Sequence, residues 1–167
     1  NTGNHCRIEI NPPAFRRRWP SLYEAVQDGQ PDRFSLLDVS LAEVSASPEQ
    51  RVVWMGDHTV WPRLNAKTLR DRTVEHQPTP IPGAPPTTVG QGYSTLAWVP
   101  EAQGSWALPL LHERIPGNRD PLTVMAHQLE QVCRRSAYCG LGLFDAEYGN
   151  ARFIRLTAAL PCDQIVR

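Results

Sequence analysis

Val52-Val53-Trp54-Met55-Gly56-Asp57 is the stretch that decides the fold. Its first four residues form a short continuous apolar run, which is typical of a strand buried on both faces of a sheet. We expect this strand to end at Gly56-Asp57. A second run of the same kind, Leu141-Gly142-Leu143-Phe144, is also followed by an aspartate, Asp145. The sequence therefore predicts two core strands that each end in a carboxylate.

The segment between these two runs predicts a hairpin followed by a helix. Residues 93–99 and 105–113 alternate in strand fashion, and residues 100–104 form a plausible hairpin loop. Pro109 lacks the N–H that a central strand would need, so the second strand belongs at a sheet edge. Asp120-Pro121 then predicts an N-cap and a first-turn proline, followed by apolar residues at helical spacing.

The remaining segments complete an α/β pattern. Residues 58–89 are expected to be loop-like. Asn150 is expected to cap a second helix that carries Phe153, Ile154 and Leu160, and Ile165-Val166 begins another strand. The order of strand, two hairpin strands, helix, strand, helix and strand predicts a mixed sheet with flanking helices.

The residue pattern of the N-terminal part differs from that of the rest and predicts a separate segment of short helices over residues 1–46. The α/β domain is expected over residues 47–167. One helix is expected to begin at Pro20, and Asp32 is expected to cap another. The cluster Arg16-Arg17-Arg18 with Trp19 is interpreted as a solvated basic turn in preference to a DNA contact.

Composition excludes several classes of protein. The chain has 167 residues, of which 41% are hydrophobic and 20% charged, as in an ordinary globular domain and unlike a disordered chain. Lys+Arg and Asp+Glu balance at 17 each, so binding to nucleic acid would have to rest on local patches. No apolar run is long enough to cross a membrane. The four cysteines show no metal-binding spacing, which favours reduced thiols in the cytoplasm.

The two aspartates become informative when the chain topology is considered. A right-handed crossover would lay the strand before Asp145 beside the strand before Asp57, about 4.8 Å away. Two carboxylates meeting there would raise each other's pKa, and a hard cation such as Mg²⁺ would remove that penalty. Each aspartate could equally cap a turn. Spacing alone leaves both interpretations open.

Several segments resemble one family in the same order along the chain. Residues 56–63, Gly-Asp-His-Thr-Val-Trp-Pro-Arg, resemble the first aspartate motif of DDE-superfamily transposases of bacterial insertion sequences. Residues 143–150, Leu-Phe-Asp-Ala-Glu-Tyr-Gly-Asn, resemble their second motif. Residues 90–94, residues 104–110 and the helix over 123–131 match the segments between the two motifs.

The resemblance implies an RNase H-like fold and a transposase that uses two-metal phosphoryl transfer. Asp57 and Asp145 would then be catalytic residues that bind Mg²⁺ or Mn²⁺, and Thr59 and Tyr148 would support them. Transposon ends and target DNA are the implied partners, bound by a possible homodimer in the bacterial cytoplasm without membrane association.

One feature of the family pattern is missing from the sequence. The third carboxylate of the family, a glutamate, lies well downstream of the second aspartate, and Glu147 is too close to Asp145 to replace it. We therefore expect the catalytic domain to be incomplete at its C-terminal part and the fragment to be inactive. The alternatives are an inactive remnant, a non-catalytic DNA-binding domain, or another RNase H-like nuclease.

The residues that follow Asp57 include a basic group. Arg63, Lys67, Arg70 and Arg72 could hold DNA phosphates beside the metal. A solvated loop with charges partly offset by Asp71 and Glu75 is an equal alternative.

Aromatic and histidine side chains near the first motif are less specific. Trp61 could stack on a displaced base, although packing is the commoner role of such a residue. His58 and His76 titrate near neutrality and could move protons, but we predict that both are surface residues.

Overall fold

The computed structural model describes residues 28–46, 51–76, 86–100 and 106–167. Within them the elements are, in chain order, α1 (Arg33–Ala42), β1 (Val53–Pro62), β2 (Thr73–His76), β3 (Thr87–Val99), β4 (Leu108–Arg114), α2 (Pro121–Arg135), β5 (Leu141–Phe144), a 3₁₀ turn (Ala146–Tyr148), α3 (Ala151–Thr157) and β6 (Asp163–Val166). Contacts divide the chain into one unit up to Ser35 and another from Leu36 onward. The predicted domain boundary at residue 46 stays a prediction.

The strands form one mixed sheet in the order β2-β3-β1-β5-β6, with β4 also paired to β3. β1 and β3 are antiparallel, whereas β1, β5 and β6 are mutually parallel along the sheet. The α2 crossover connects the β4 edge to β5 on the far side of β1. This architecture confirms the predicted α/β, RNase H-like mixed sheet with flanking helices.

The prediction that the first strand ends at Asp57 is wrong, because β1 continues to Pro62. The continuation is paired with β3 residue by residue, from Asp57 opposite Thr95 to Pro62 opposite Gly90. The β-branched and aromatic residues after Asp57 suit this extended, half-buried surface. The apolar run therefore marked only the buried part of a longer strand.

Burial on both faces is also contradicted for β1. Trp54 and Gly56 are buried on the face that carries α2, but Met55 on the opposite face is 41% exposed. A Cβ at Gly56 would lie 2.6 Å from the Phe144 ring and 2.8 Å from Met125 Sδ, so the helix-facing side is closely packed there. The opposite side, called here the outer face, carries Met55 and Asp57.

The region predicted as a loop after Asp57 contains regular structure. β2 occupies Thr73–His76, and β3 begins at Thr87, six residues before the predicted start of its strand. The two strands pair with each other as antiparallel neighbours. This pairing could not be predicted from the local composition of either segment. Residues 77–85 and 101–105 lie outside the described residues, and the second range includes most of the hairpin loop predicted at 100–104.

The helix predicted after Asp120 is confirmed as α2. The Asp120 carboxylate accepts a hydrogen bond from the Thr123 backbone N–H, and Pro121 occupies the first turn. The buried positions recur on one face and include Met125, Leu129 and Val132. α2 packs on β3 and on α3. The edge position predicted from Pro109 is also confirmed, since β4 pairs only with β3 among the described strands.

The remaining expectations have mixed outcomes. Asn150 caps α3 as predicted, but the helix ends at Thr157 and does not reach Leu160. β6 confirms the strand expected at Ile165-Val166. Asp32 accepts a hydrogen bond from the Ser35 backbone N–H at the start of α1, as expected of a cap. The helix predicted from Pro20 and the Arg16–Arg18 turn lie outside the described residues.

Candidate active site

Asp57 and Asp145 occupy equivalent places on neighbouring parallel strands. The β1–β5 ladder ends with Gly56 opposite Phe144. Asp57 directly follows Gly56 in the chain, and Asp145 directly follows Phe144. Parallel neighbours lie about 4.8 Å apart, so the two backbones bring both residues to the same edge of the ladder. Both residues are exposed. The structure thus brings together the two predicted site aspartates, although β1 continues beyond Asp57.

The two carboxylates have different local environments. Asp57 lies inside β1, and its Oδ2 accepts a hydrogen bond of 3.1 Å from the Thr59 hydroxyl. Asp145 begins the 3₁₀ turn, and its Oδ1 accepts a hydrogen bond of 3.0 Å from the Glu147 backbone N–H. The turn-capping alternative therefore describes Asp145 but not Asp57. Each hydrogen bond fixes one carboxylate while leaving it at the surface.

Tyr148 ends the 3₁₀ turn that Asp145 caps, and it is fully buried. Its ring packs against Phe144 and Phe153, with centroid separations of 5.6 and 5.1 Å. Burial raises the pKa of its phenol, and the nearby charges of Glu147, Asp145 and Asp57 raise it further. The hydroxyl has no hydrogen-bond partner within the described part of the chain. The Tyr148 side chain thus contacts its surroundings by packing, while its backbone N–H donates to the Asp145 carbonyl oxygen at 3.1 Å and closes the turn.

His58 was predicted as a surface residue, and that prediction is wrong. Its side chain is only 9% exposed and points to the helix side of β1, opposite to Asp57. Nδ1 lies 3.1 Å from Oε2 of Glu147, and Nε2 lies 3.7 Å from Oε2 of Glu75. The hydrogen bond with Glu147 raises the His58 pKa against the opposing effect of burial, and the charges of Glu147, Glu75 and Asp57 add to the increase.

Glycine makes room for this histidine. A Cβ at Gly92 on β3 would lie 2.7 Å from His58 Nε2 and 3.2 Å from Glu75 Oε1. His58 therefore reaches across β3 to β2 and also to the turn after β5. It was missed because its two carboxylate partners are distant in sequence. Two sequence positions could have indicated the contact of His58 with Glu147. His58 directly follows Asp57, and Glu147 lies two residues after Asp145, so the contact joins the two aspartate motifs.

The predicted basic residues all lie in the β1–β2 connection, but they do not form one uniform surface. Arg72 Nη1 donates to the backbone oxygens of Arg63 and Leu64, at 3.0 and 3.4 Å, so it holds the loop together. Arg63 places its guanidinium 4.6 Å from the Trp61 ring centroid. Lys67 and Arg70 are exposed. Three of the four cations thus remain available at the surface, close in sequence to Asp57.

The donor chemistry of the two aspartates fits a divalent cation. Mg²⁺ prefers carboxylate oxygens and commonly uses one or two of them while keeping waters and substrate phosphates as its other ligands. Within the described ranges, no group of three or more histidine, cysteine or acidic residues is arranged to hold a metal ion. An Asp57–Asp145 pair that leaves coordination positions for phosphate meets the requirement of Mg²⁺ without such a group.

No helix in the described part of the chain is both long and apolar enough to span a membrane.

Comparison with known proteins places these motifs in a family. No curated protein and no solved structure matches the chain. A family model described as DDE superfamily endonuclease matches residues 16–167. This match includes both aspartates, the whole sheet and the helices that pack on it. By that match, which covers most of its length, the chain belongs to the DDE superfamily endonucleases.

Proposed function

We propose that this domain carries out metal-dependent phosphoryl transfer on DNA, in the manner of a transposase, with Asp57 and Asp145 as its metal ligands. The observation that carries the proposal is the register of β1 and β5, which sets the two aspartates side by side where the parallel ladder ends. Family membership makes DNA the expected substrate. Transposon ends and target DNA are the substrates we propose.

The roles of this chain's own residues follow from their positions. Asp57 and Asp145 would hold Mg²⁺ or Mn²⁺, and Thr59 would orient the Asp57 carboxylate through its hydrogen bond. When bound, the metal supplies Lewis-acid activation of the phosphate and of the attacking oxygen. Arg63, Lys67 and Arg70 would neutralise the phosphates of the DNA strand. Arg72 would act indirectly, by fixing the loop that carries them.

Metal titration tests the central claim. Isothermal titration of Mn²⁺ into the chain is expected to give a heat that is lost in Asp57→Asn and in Asp145→Asn. Asp163→Asn is a matched control, since Asp163 is an exposed aspartate at the other end of the β5–β6 pairing. Tyr148→Phe is a second control, because its hydroxyl makes no hydrogen bond in the described residues. Equal heats in all five proteins would refute the metal site.

A catalytic assay separates transposase-like chemistry from DNA binding alone. We expect Mn²⁺-dependent nicking of supercoiled DNA by a protein that supplies a third carboxylate together with Asp57 and Asp145. Nicking should be lost in the Asp57→Ala variant of that protein. The remnant hypothesis, a non-catalytic DNA-binding domain, expects DNA binding without nicking in every form. Assembly as a homodimer on DNA and a location in the bacterial cytoplasm remain expectations of the same proposal.

A further inference from the structure

We propose that the outer face beside Asp57 carries a binding site for one unstacked nucleobase of the DNA substrate. Thr59, Trp61, Tyr93 and His112 line this site, which is called here the aromatic site. The inference rests on the proposed function, because it takes DNA as the molecule that approaches Asp57. It adds the part of the DNA that is recognised and the residues that recognise it.

The aromatic site is a surface cavity of about 150 Å³ built from neighbouring strands. Tyr93 on β3 stacks in parallel on His112 of β4, with ring centroids 5.2 Å apart and an interplanar angle of 4°. Trp61 on β1 meets Tyr93 edge-on, at 5.6 Å and 73°. Trp61 remains 53% exposed. Rings held by three paired strands thus form a pre-organised wall with an accessible indole.

Hydrogen bonds and a cation fix the groups around this wall. The Thr95 hydroxyl lies 2.8 Å from His112 Nδ1, which sets the orientation of the imidazole. The Tyr93 hydroxyl donates to Gln91 Oε1 at 3.3 Å. The Arg63 guanidinium lies over one face of the Trp61 ring, 4.6 Å from its centroid, and adds positive charge there. Flat π surfaces next to a cation suit a nucleobase attached to a phosphate, because bases stack on aromatic rings while phosphates require cations.

The position of the aromatic site relative to Asp57 favours DNA as the occupant. Alternate residues of a strand point to the same face, so Asp57, Thr59 and Trp61 line up along β1. At about 3.3 Å per residue, Trp61 lies roughly 13 Å from Asp57 along the strand. A DNA strand that follows the outer face along β1 from a phosphate at Asp57 would bring a nearby nucleotide over the aromatic site. A purely apolar protein segment would gain nothing from the Arg63 cation.

The experiment measures binding of a fluorescein-labelled dT₁₂ oligonucleotide by fluorescence anisotropy, with EDTA present so that metal binding plays no part. Trp61→Ala is expected to weaken binding by about tenfold, as loss of one stacked base does. Trp61→Phe, which retains a ring, is expected to recover most of the affinity. Trp106→Ala is the matched control, since Trp106 is 72% exposed but does not line the aromatic site, and its affinity should stay within twofold.

Three results would overturn the proposal. They are absence of oligonucleotide binding, equal affinity of Trp61→Ala and the unmodified chain, and equal losses in Trp61→Ala and Trp106→Ala. A change of oligomeric state in Trp61→Ala without a change in DNA affinity would assign the surface to a second copy of the chain instead. Crosslinking with 5-iodo-deoxyuridine gives a direct readout, with the adduct expected on Trp61 or Tyr93.

Failure of this inference is distinguishable from failure of the proposed function. Loss of the Mn²⁺ heat in Asp57→Asn, combined with unchanged DNA affinity in Trp61→Ala, would retain the metal site and remove the base site. An unchanged Mn²⁺ heat in Asp57→Asn, combined with weaker DNA binding by Trp61→Ala, would retain base binding and remove the metal-dependent mechanism.

Discussion

His58 Nδ1 lies 3.1 Å from Oε2 and 3.2 Å from Oε1 of Glu147, so the imidazole faces both oxygens of one carboxylate. His58 directly follows Asp57, and Glu147 belongs to the 3₁₀ turn after Asp145 and donates its own backbone N–H to Asp145 Oδ1. The contact therefore connects the two aspartate motifs through their neighbours. It lies on the opposite side of β1 from the exposed Asp57 carboxylate and can fix the motifs without occupying the proposed metal-binding surface.

A double-mutant cycle is expected to show that this contact stabilises the fold. His58→Ala and Glu147→Ala should each lower the free energy of unfolding, and the double variant should lose less than the sum of the two. We expect a coupling of about 1 kcal/mol, because the histidine is nearly buried whereas Glu147 is partly exposed. Urea unfolding at pH 7 measures all four proteins.

Glu75 supplies the matched control for that cycle. Its Oε2 lies 3.7 Å from His58 Nε2, beyond hydrogen-bonding distance, so His58→Ala and Glu75→Gln should show a smaller coupling. Additive losses in the His58–Glu147 cycle would show that the contact does not hold the two motifs together.

Sequence patterns predicted the parts of the fold that depend on local chemistry. The Asp120-Pro121 cap, the Asn150 cap and the two apolar runs all specify structure within a few residues of themselves, and each is present. The pairing of the Asp57 and Asp145 strands followed from the handedness of a crossover, which is equally general.

The parts that were wrong depend on partners far away in the chain. β1 extends past Asp57 because β3 supplies hydrogen bonds as far as Gly90, and β3 in turn extends because β2 pairs with it. His58 is buried because Glu147, 89 residues later, folds over it. Hydrophobic periodicity reports the faces of one element and carries no information about such distant polar partners.

Gln128 shows how a polar residue can specify helix position inside the core. Gln128 and Ser94 are both fully buried. Ser94 Oγ donates to Gln128 Oε1 at 2.7 Å, and Gln128 Nε2 donates to the Ser94 backbone oxygen at 3.1 Å. The pair attaches α2 to β3 at one register.

Removal of only one of these two partners should therefore lower the free energy of unfolding. Ser94→Ala leaves the amide oxygen of Gln128 without its donor, and we expect a loss of about 1–3 kcal/mol in the free energy of unfolding. Gln128→Leu should cost a similar amount, because it leaves the buried Ser94 hydroxyl without its acceptor. The Ser94→Ala/Gln128→Leu double variant should lose less than the sum of the single losses. Urea denaturation provides the values, and strict additivity would contradict a mutually satisfied pair.

Asp120 connects the start of α2 to α3 through ionised contacts. Its Oδ2 lies 2.8 Å from Arg152 Nη2, and its carboxylate accepts from both the hydroxyl and the backbone N–H of Thr123. Desolvation, the largest influence, raises the pKa of Asp120. The hydrogen bonds from Thr123 and the charge of Arg152 together outweigh it, so the pKa of the folded protein is lowered.

This lowered pKa predicts the direction in which stability depends on pH. A carboxyl whose pKa is lower when folded contributes stability above its unfolded pKa, and that contribution is lost as pH falls through the folded value. Asp120→Ala should cost about 1 kcal/mol at pH 7, as loss of an N-cap does. The difference from the unmodified chain should shrink below about pH 4, where the carboxyl of the unfolded chain becomes protonated.

Asp120→Asn separates capping from charge. The asparagine oxygen can still accept the Thr123 backbone N–H, so this variant should lose less stability at pH 7 than Asp120→Ala. Because it has no carboxyl to titrate, its stability should fall less steeply than that of the unmodified chain between pH 5 and pH 2. Thermal unfolding followed across this range measures the slopes. Parallel pH profiles for the unmodified chain and Asp120→Asn would show that the charge of Asp120 contributes nothing, and that the α2 cap acts through neutral hydrogen bonding alone.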